Sequence, residues 1–224
     1  MSKVKSEPPK YLYHGTRAGA LSTILAGGLV PRRDRGVEGN WRHSIESNSR
    51  AVYLTDAYPL HFAGSAARVG EPLLIFEVVV QKLHPFSLAP DEDFLEQATR
   101  GNDNFAAAGD DMKTRTRWFR HCALTEFASH WQDSLRGLGT CTYFGIIPPA
   151  AISRWAVVPA SCPLVRMSDP TITLMNYQIL GGYYRQLVRR IFGDPVDFGN
   201  AGSMRDLLER AASLGRDGIE VSSM

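Results

Sequence analysis

Cysteine is scarce and scattered. The 224 residues hold three, Cys122, Cys141 and Cys162, with no Cys-x-x-Cys pair and no Cys/His cluster. That pattern excludes a zinc ribbon or finger and a disulfide framework, so no metal site is expected. It also makes a reducing cytoplasm the expected compartment. Lysine is scarce too: five of the 25 basic residues are Lys and the other 20 are Arg. Arg presents a planar fork of donors, so the bias favours bidentate contacts to phosphate or carboxylate. An arginine-rich genome gives the same bias. Long apolar runs are absent. The longest, LLIFEVVV, is interrupted by Glu77 and reads as a buried strand, far short of the ~20 residues of a membrane-spanning helix. No membrane partner is therefore expected. The opening MSKVKSEPPK lacks the apolar stretch of a signal peptide, and residues 1–10 are expected to be a disordered lead-in. Neither sign of charge dominates: the net charge is +2, well short of a histone-like polycation.

What is present reads as a mixed α+β chain. YLYH predicts a short strand ended by Gly15. AGALSTILAGGLVP predicts a helix, with Leu21, Ile24, Leu25 and Leu29 at helical spacing, a Gly27–Gly28 C-cap and Pro31 as a stop. Residues 32–50 form a long polar connection containing five arginines, a length that marks a functional or mobile loop. AVYLT and LLIFEVVV predict strands, with a helix between them over residues 58–68. PDEDFLEQ predicts a helix with acids at its N-terminus, where the macrodipole favours them. TRWFRHCALTEFASHWQDSLRGLG reads as one long helical stretch, followed by strands at TCTYFGIIP and AISRWAVVP. Past Pro163, DPTITLMNYQILGGYYRQLVRRIFGD reads as a helix pair broken at Gly181 and Gly182. The tail from Asn200 reads as one short helix and a polar end. The expected organisation is a catalytic-type domain over residues 11–162 and a C-terminal helical extension over 163–224. Regular βαβ units are too few for a doubly wound sheet.

Two short segments carry chemistry. YLYHGT places His14 at a strand's end, with Gly15 and Thr16 following at once, so an imidazole and bare backbone face one ligand. By itself a strand-end histidine is more often structural. SRAVYLTDAYPLHFAGSA places Tyr53 inside a strand and Phe62 nine positions later on a helix; a strand tyrosine is ordinarily packing.

The two segments in this order, a helix ending in G-L-x-P and a long loop between them, resemble the His-Tyr class of ADP-ribosyltransferases. The nearest local likeness is to the rifampin ADP-ribosyltransferases, over roughly residues 11–93. The resemblance implies a split antiparallel sheet around an NAD cleft, with a C-terminal helical appendage here. It implies that His14 hydrogen-bonds a hydroxyl of the ribose next to nicotinamide and that Gly15 pairs its backbone with the carboxamide. Tyr53 would stack on the nicotinamide ring, Phe62 would form the second wall, and Thr16 and Arg32 would reach the adenosine or pyrophosphate side. Two aromatic faces suit a cationic pyridinium. The family's usual acid precedes the strand leading into I-P-P, yet LGTCTYFGIIPP holds none. Asp91, Glu92 and Asp93 are the nearest substitutes, with Asp91 and Asp93 taken as catalytic and Glu126 as the alternative. The same acids also read as an N-cap with helix-dipole partners. The I-P-P-x-x-I run also resembles NAD-dependent RNA 2'-phosphotransferases. Those carry a second histidine where this chain has Tyr53, and two phosphate-gripping arginines for which Arg17 and Arg50 are poorly placed.

The acceptor is read from three basic–aromatic runs: the loop holding Trp41 and His43, KTRTRWFRH around Trp118, and YYRQLVRRIF. Singly each is a solvated face. Together they point to a single-stranded nucleic acid, held by phosphate contacts and base stacking. A compact transferase of this kind fits an intracellular toxin with a possible antitoxin partner. A protein acceptor and a non-catalytic NAD or ADP-ribose binding module remain open.

Overall fold

The computed structural model describes residues 7–36, 47–100, 109–166, 177–196, 209 and 213–224. The expected loop residues Trp41 and His43 lie outside them, as do most of the expected lead-in and of the tail helix. The fold is α+β, with an antiparallel seven-stranded sheet ordered β4-β5-β2-β1-β3-β6-β7. The strands are β1 (Tyr11–Arg17), β2 (Ala51–Thr55), β3 (Leu73–Val79), β4 (Leu88–Pro90), β5 (Thr140–Phe144), β6 (Ile152–Val158) and β7 (Glu220–Ser223). The helices are α1 (Leu21–Gly27), α2 (Pro59–Ala66), α3 (Glu92–Thr99), α4 (Met112–Cys122), α5 (Trp131–Leu138), α6 (Pro163–Arg166) and α7 (Tyr177–Phe192).

Alternation along β1 and β3 sends side chains into two cores. Tyr13 and Ile75 face one core, which α2 and α7 cover with Tyr58, Leu60, Ala63, Tyr184, Leu187 and Ile191. Leu12, Leu74 and Phe76 face the other, closed by Ile24, Leu29, Leu135, Tyr143 and Ile147. Burial on both faces explains why β3 reads as a continuous apolar run. Its one charge, Glu77, is 1% exposed. Glu77 accepts from Arg154 Nε at 2.9 Å and Ser153 Oγ at 2.6 Å, and Arg154 also donates to both carboxylate oxygens of Asp194 at 2.9 Å.

The sheet is nearly cut in two. β1 pairs with β3 along its whole length, from Tyr11↔Val79 to Arg17↔Leu73, and β2 pairs with β5 from Ala51↔Phe144 to Thr55↔Thr140. Between β1 and β2 the ladder holds only at Tyr13↔Thr55. Continued in register, it would set Gly15 opposite Tyr53; instead the strands part there. An isolated bridge, Leu29↔Ile147, closes the near end. Gly28 makes that approach possible: its φ is +82°, and a Cβ would lie 2.1 Å from the Ile147 carbonyl oxygen.

Several expectations need correction. β1 does not stop at Gly15 but runs on to Arg17. The long stretch over residues 116–139 is two helices, with a turn from Ala123 to Phe127 between them. The turn lets Phe119 and Ala123 enter a small core with Leu95 while Leu135 enters the larger one. Gly181 and Gly182 break nothing, because α7 passes straight through them. Two glycines cost a helix about 2 kcal/mol, and burying Tyr183, Tyr184, Leu187, Val188, Ile191 and Phe192 outweighs it. The expected C-terminal appendage is no appendage, since α7 covers the sheet's central strands and β7 extends the sheet beside β6.

Candidate functional site

Where β1 and β2 part, a cavity of about 540 Å³ opens. Its wall includes His14, Gly15, Thr16, Arg32, Tyr53, Phe62, Asp91 and Asp93. The structure thus brings together the residues assigned to NAD binding or catalysis, while Glu126, the alternative acid, is exposed on the turn after α4. Trp118 is elsewhere too. Its ring meets Phe119 and Phe127 edge-on, at 5.6 and 5.7 Å between centroids, within the α3–α4 core. It is half-buried and packed against protein.

His14 and Tyr53 are tied to each other. The Tyr53 carbonyl accepts a hydrogen bond from His14 Nδ1 at 3.0 Å. That bond places the ring proton on Nδ1 and leaves Nε2 with an acceptor lone pair. Burial, against the pull of the Tyr53 carbonyl, holds the imidazole below its ordinary range, and Arg35 and Arg32 depress it further. The ring is therefore neutral near pH 7.

Gly15 also has a packing role. A Cβ there would lie 1.9 Å from the Pro59 carbonyl oxygen and 2.7 Å from the Ala63 nitrogen. The missing side chain admits α2 against β1. That contact sets Phe62 and His61 on the cavity wall, so Gly15 shapes the site through the helix it accommodates.

The Tyr53 hydroxyl sits between two partners. It accepts from the Asn48 backbone N–H at 2.6 Å and donates to Glu92 Oε2 at 2.7 Å. Burial, then the charges of Glu92 and Asp91, keep it protonated far above the ordinary tyrosine range. Asn48, 6% exposed, steadies the turn before β2, its Oδ1 accepting from the Arg50 N–H at 3.0 Å.

The acids divide their roles. Asp91 is the N-cap of α3: its carboxylate accepts from the Asp93 N–H at 3.0 Å, while its own N–H donates to Ser134 Oγ at 3.0 Å. Glu92, at the first helical position, is the acid that meets Tyr53. It was one of three adjacent candidates, but Asp91 and Asp93 were preferred to it. Burial, then the Asp91 carboxylate, pushes Glu92 up to about 8 and Asp93 up to about 7. Asp91 is raised by burial as well. Glu96 joins the wall with its carboxylate ion-paired to Arg100. Arg17 and Arg35 line the cavity beside Arg32; Arg17 had looked poorly placed in sequence, and Arg35 had drawn no assignment of its own. Among the described residues no group of three or more His, Cys, Asp or Glu could hold a metal ion, and no helix is long and apolar enough to cross a membrane.

No protein-family model matches the chain, and no curated protein matches it either.

Proposed function

We propose that this chain binds NAD in the cavity between β1 and β2 and transfers its ADP-ribose group to an acceptor macromolecule. The observation that carries the reading is convergence: His14 from β1, Tyr53 from β2, Phe62 from α2 and the Asp91–Asp93 carboxyls from the start of α3 all line one cavity.

Each group suits a part of that chemistry. A neutral His14 with Nδ1 committed to the Tyr53 carbonyl accepts a ribose hydroxyl at Nε2. The faces of Tyr53 and Phe62 suit the pyridinium ring. In the reaction the bond from nicotinamide nitrogen to the ribose anomeric carbon breaks, and its electron pair leaves with the ring. Positive charge builds on the ribose, and the acceptor atom supplies the pair for the new bond. Glu92 and Asp93, raised to about 8 and 7, titrate near neutral pH, which matches them to taking the acceptor's proton. Orientation in the cavity supplies the rest.

The acceptor we favour is a single-stranded nucleic acid base. The arginines Arg17, Arg32 and Arg35 on the cavity wall support it. A polyanion would approach on their side, because the Asp91–Glu96 wall repels it. Calorimetric titration with NAD tests the cofactor: wild type binds, and the His14→Ala, Tyr53→Ala double variant does not. Mass spectrometry of cell extract incubated with protein and NAD tests the acceptor, with label expected on RNA or DNA. No NAD binding by wild type refutes the whole reading; label on protein alone refutes the acceptor.

A further inference from the structure

Glu92 reaches Tyr53 because the cap of α3 falls on Asp91, which leaves Glu92 as the first helical residue. The contact is enclosed. Glu92 is 3% exposed, and the Tyr53 hydroxyl takes the backbone N–H of Asn48 at 2.6 Å. A phenol has one proton to give. With Asn48 donating to the hydroxyl oxygen, that proton is directed at Glu92 Oε2, 2.7 Å away. Oε2 is thereby kept as an acceptor. When Glu92 is neutral, the carbonyl oxygen is the one that accepts, so the carboxyl's own proton lies on Oε1.

No other side chain among the described residues is bonded to the Glu92 carboxyl. The titratable groups that act on it are Asp91 and Asp93 beside it on α3 and Tyr53 across from it on β2. The neighbouring α5 and β5 present Ser134 and Thr140 to Asp91 instead. Burial and the two aspartates oppose the charged form of Glu92, and Tyr53 is the one side chain that favours it.

We infer that the Tyr53 hydroxyl is a positioning group for proton transfer: by holding Glu92 Oε2 it makes Oε1 the atom that takes the acceptor's proton. The inference rests on the NAD reading above for the reaction, and on the Asn48–Tyr53–Glu92 chain of hydrogen bonds for the proton. Ring and hydroxyl then have separate tasks, the face for the pyridinium and the oxygen for Glu92. With water as the acceptor, the bond from ribose to nicotinamide breaks and its electron pair goes to the ring nitrogen. The water oxygen bonds the anomeric carbon, and one water proton passes to Oε1. The products are ADP-ribose and nicotinamide.

Tyr53→Phe keeps the ring and removes the hydroxyl. Carbon NMR titration of the carboxyl on the full chain reads the proton directly, with the Glu92 signal assigned by its loss in Glu92→Gln. Wild type should titrate at about 8. The variant should titrate about one pH unit higher or more, since a hydrogen bond to a charged group is worth that much. Protein made with 3-fluorotyrosine, a more acidic phenol and a stronger donor, should move the midpoint down, and it decides the matter if Tyr53→Phe does not fold. Nicotinamide release from NAD is the second readout. In Tyr53→Phe, kcat should fall about tenfold at pH 7 and recover as pH rises, with KM for NAD unchanged because the stacking face remains. General damage to the fold would lower the rate at every pH. An unmoved Glu92 midpoint overturns the inference. So does a moved midpoint with an unmoved rate profile, which would leave Asp93 as the base. If wild type neither binds nor cleaves NAD, the NAD reading has failed, and the titration alone decides whether Tyr53 governs the Glu92 proton.

Discussion

Replacing Glu92 with Gln should make the protein less sensitive to alkaline pH. Glu92 is 3% exposed, and burial with the neighbouring Asp91 charge raises it from 4.5 to about 8. Between those two values the folded protein keeps a proton that the unfolded chain gives up. The stability this contributes is complete below about pH 4.5, and it declines as pH rises towards 8. At about 1.4 kcal/mol per pH unit of displacement, an isolated carboxyl so placed would account for about 5 kcal/mol. Asp91 and Asp93 share protons with it, so a few kcal/mol is the figure to expect. For a chain of this size that is roughly 5–10 °C in Tm. Gln keeps an oxygen for the Tyr53 hydroxyl and never ionises. Scanning calorimetry on wild type and Glu92→Gln at pH 5, 7 and 9 gives the answer as a difference. His14, lowered by burial, loses stability in the opposite direction, as pH falls below its ordinary range. It does so in both proteins and cancels from the difference. The two proteins should melt together at pH 5, and the variant should be the more stable at pH 9. A gap in Tm that does not change with pH would refute the reasoning.

Other substitutions probe the packing that shapes the site. Gly15→Ala sets a Cβ 1.9 Å from the Pro59 carbonyl; driving α2 off β1 should cost about 3 kcal/mol or more, visible as a lower urea midpoint. Gly28→Ala combines φ +82° with a 2.1 Å clash against Ile147, and should lose the Leu29–Ile147 bridge, read by amide exchange at those two residues. Arg154→Ala strips the partner from Glu77, a carboxylate 1% exposed; about 3–5 kcal/mol of destabilisation is expected, and Glu77→Gln in the same chain should recover part of it. Trp118→Ala should lower Tm through the lost packing on Phe119 and Phe127 and leave affinity for single-stranded nucleic acid unchanged, which a filter-binding titration checks.

His14 and Tyr53 can be placed from the sequence because each sits inside a short strand, and strand residues keep their neighbours. Phe62 follows because α2 starts at Pro59, which fixes the helix phase. The choice among three adjacent acids is not legible. One residue along a helix start turns a side chain by about 100°, so whether position 91, 92 or 93 meets Tyr53 depends on where the cap falls, and Asp91 takes it. Arg17 and Arg35 come together only through the parting of β1 from β2, a tertiary event without a local signature. β7 is hidden for another reason: all four of its residues are exposed. Its place rests on backbone pairing with β6, so no apolar alternation announces it.

The helix α7 that covers β1 has a consequence for the order in which the molecule is made. The strand bearing His14 leaves the ribosome well before the helix that shields its other face, which ends at Phe192. Tyr13 waits for Phe192, which stacks on it at 5.6 Å between centroids, until almost 180 further residues have been joined. Contacts so distant in sequence form late and close slowly. Throughout synthesis the two sheet halves, held to each other by one residue pair, lack the cover that fixes their separation. The mouth of the cavity takes its final width only after translation has passed α7. A nascent chain therefore carries His14 and Tyr53 long before it carries a working arrangement of them.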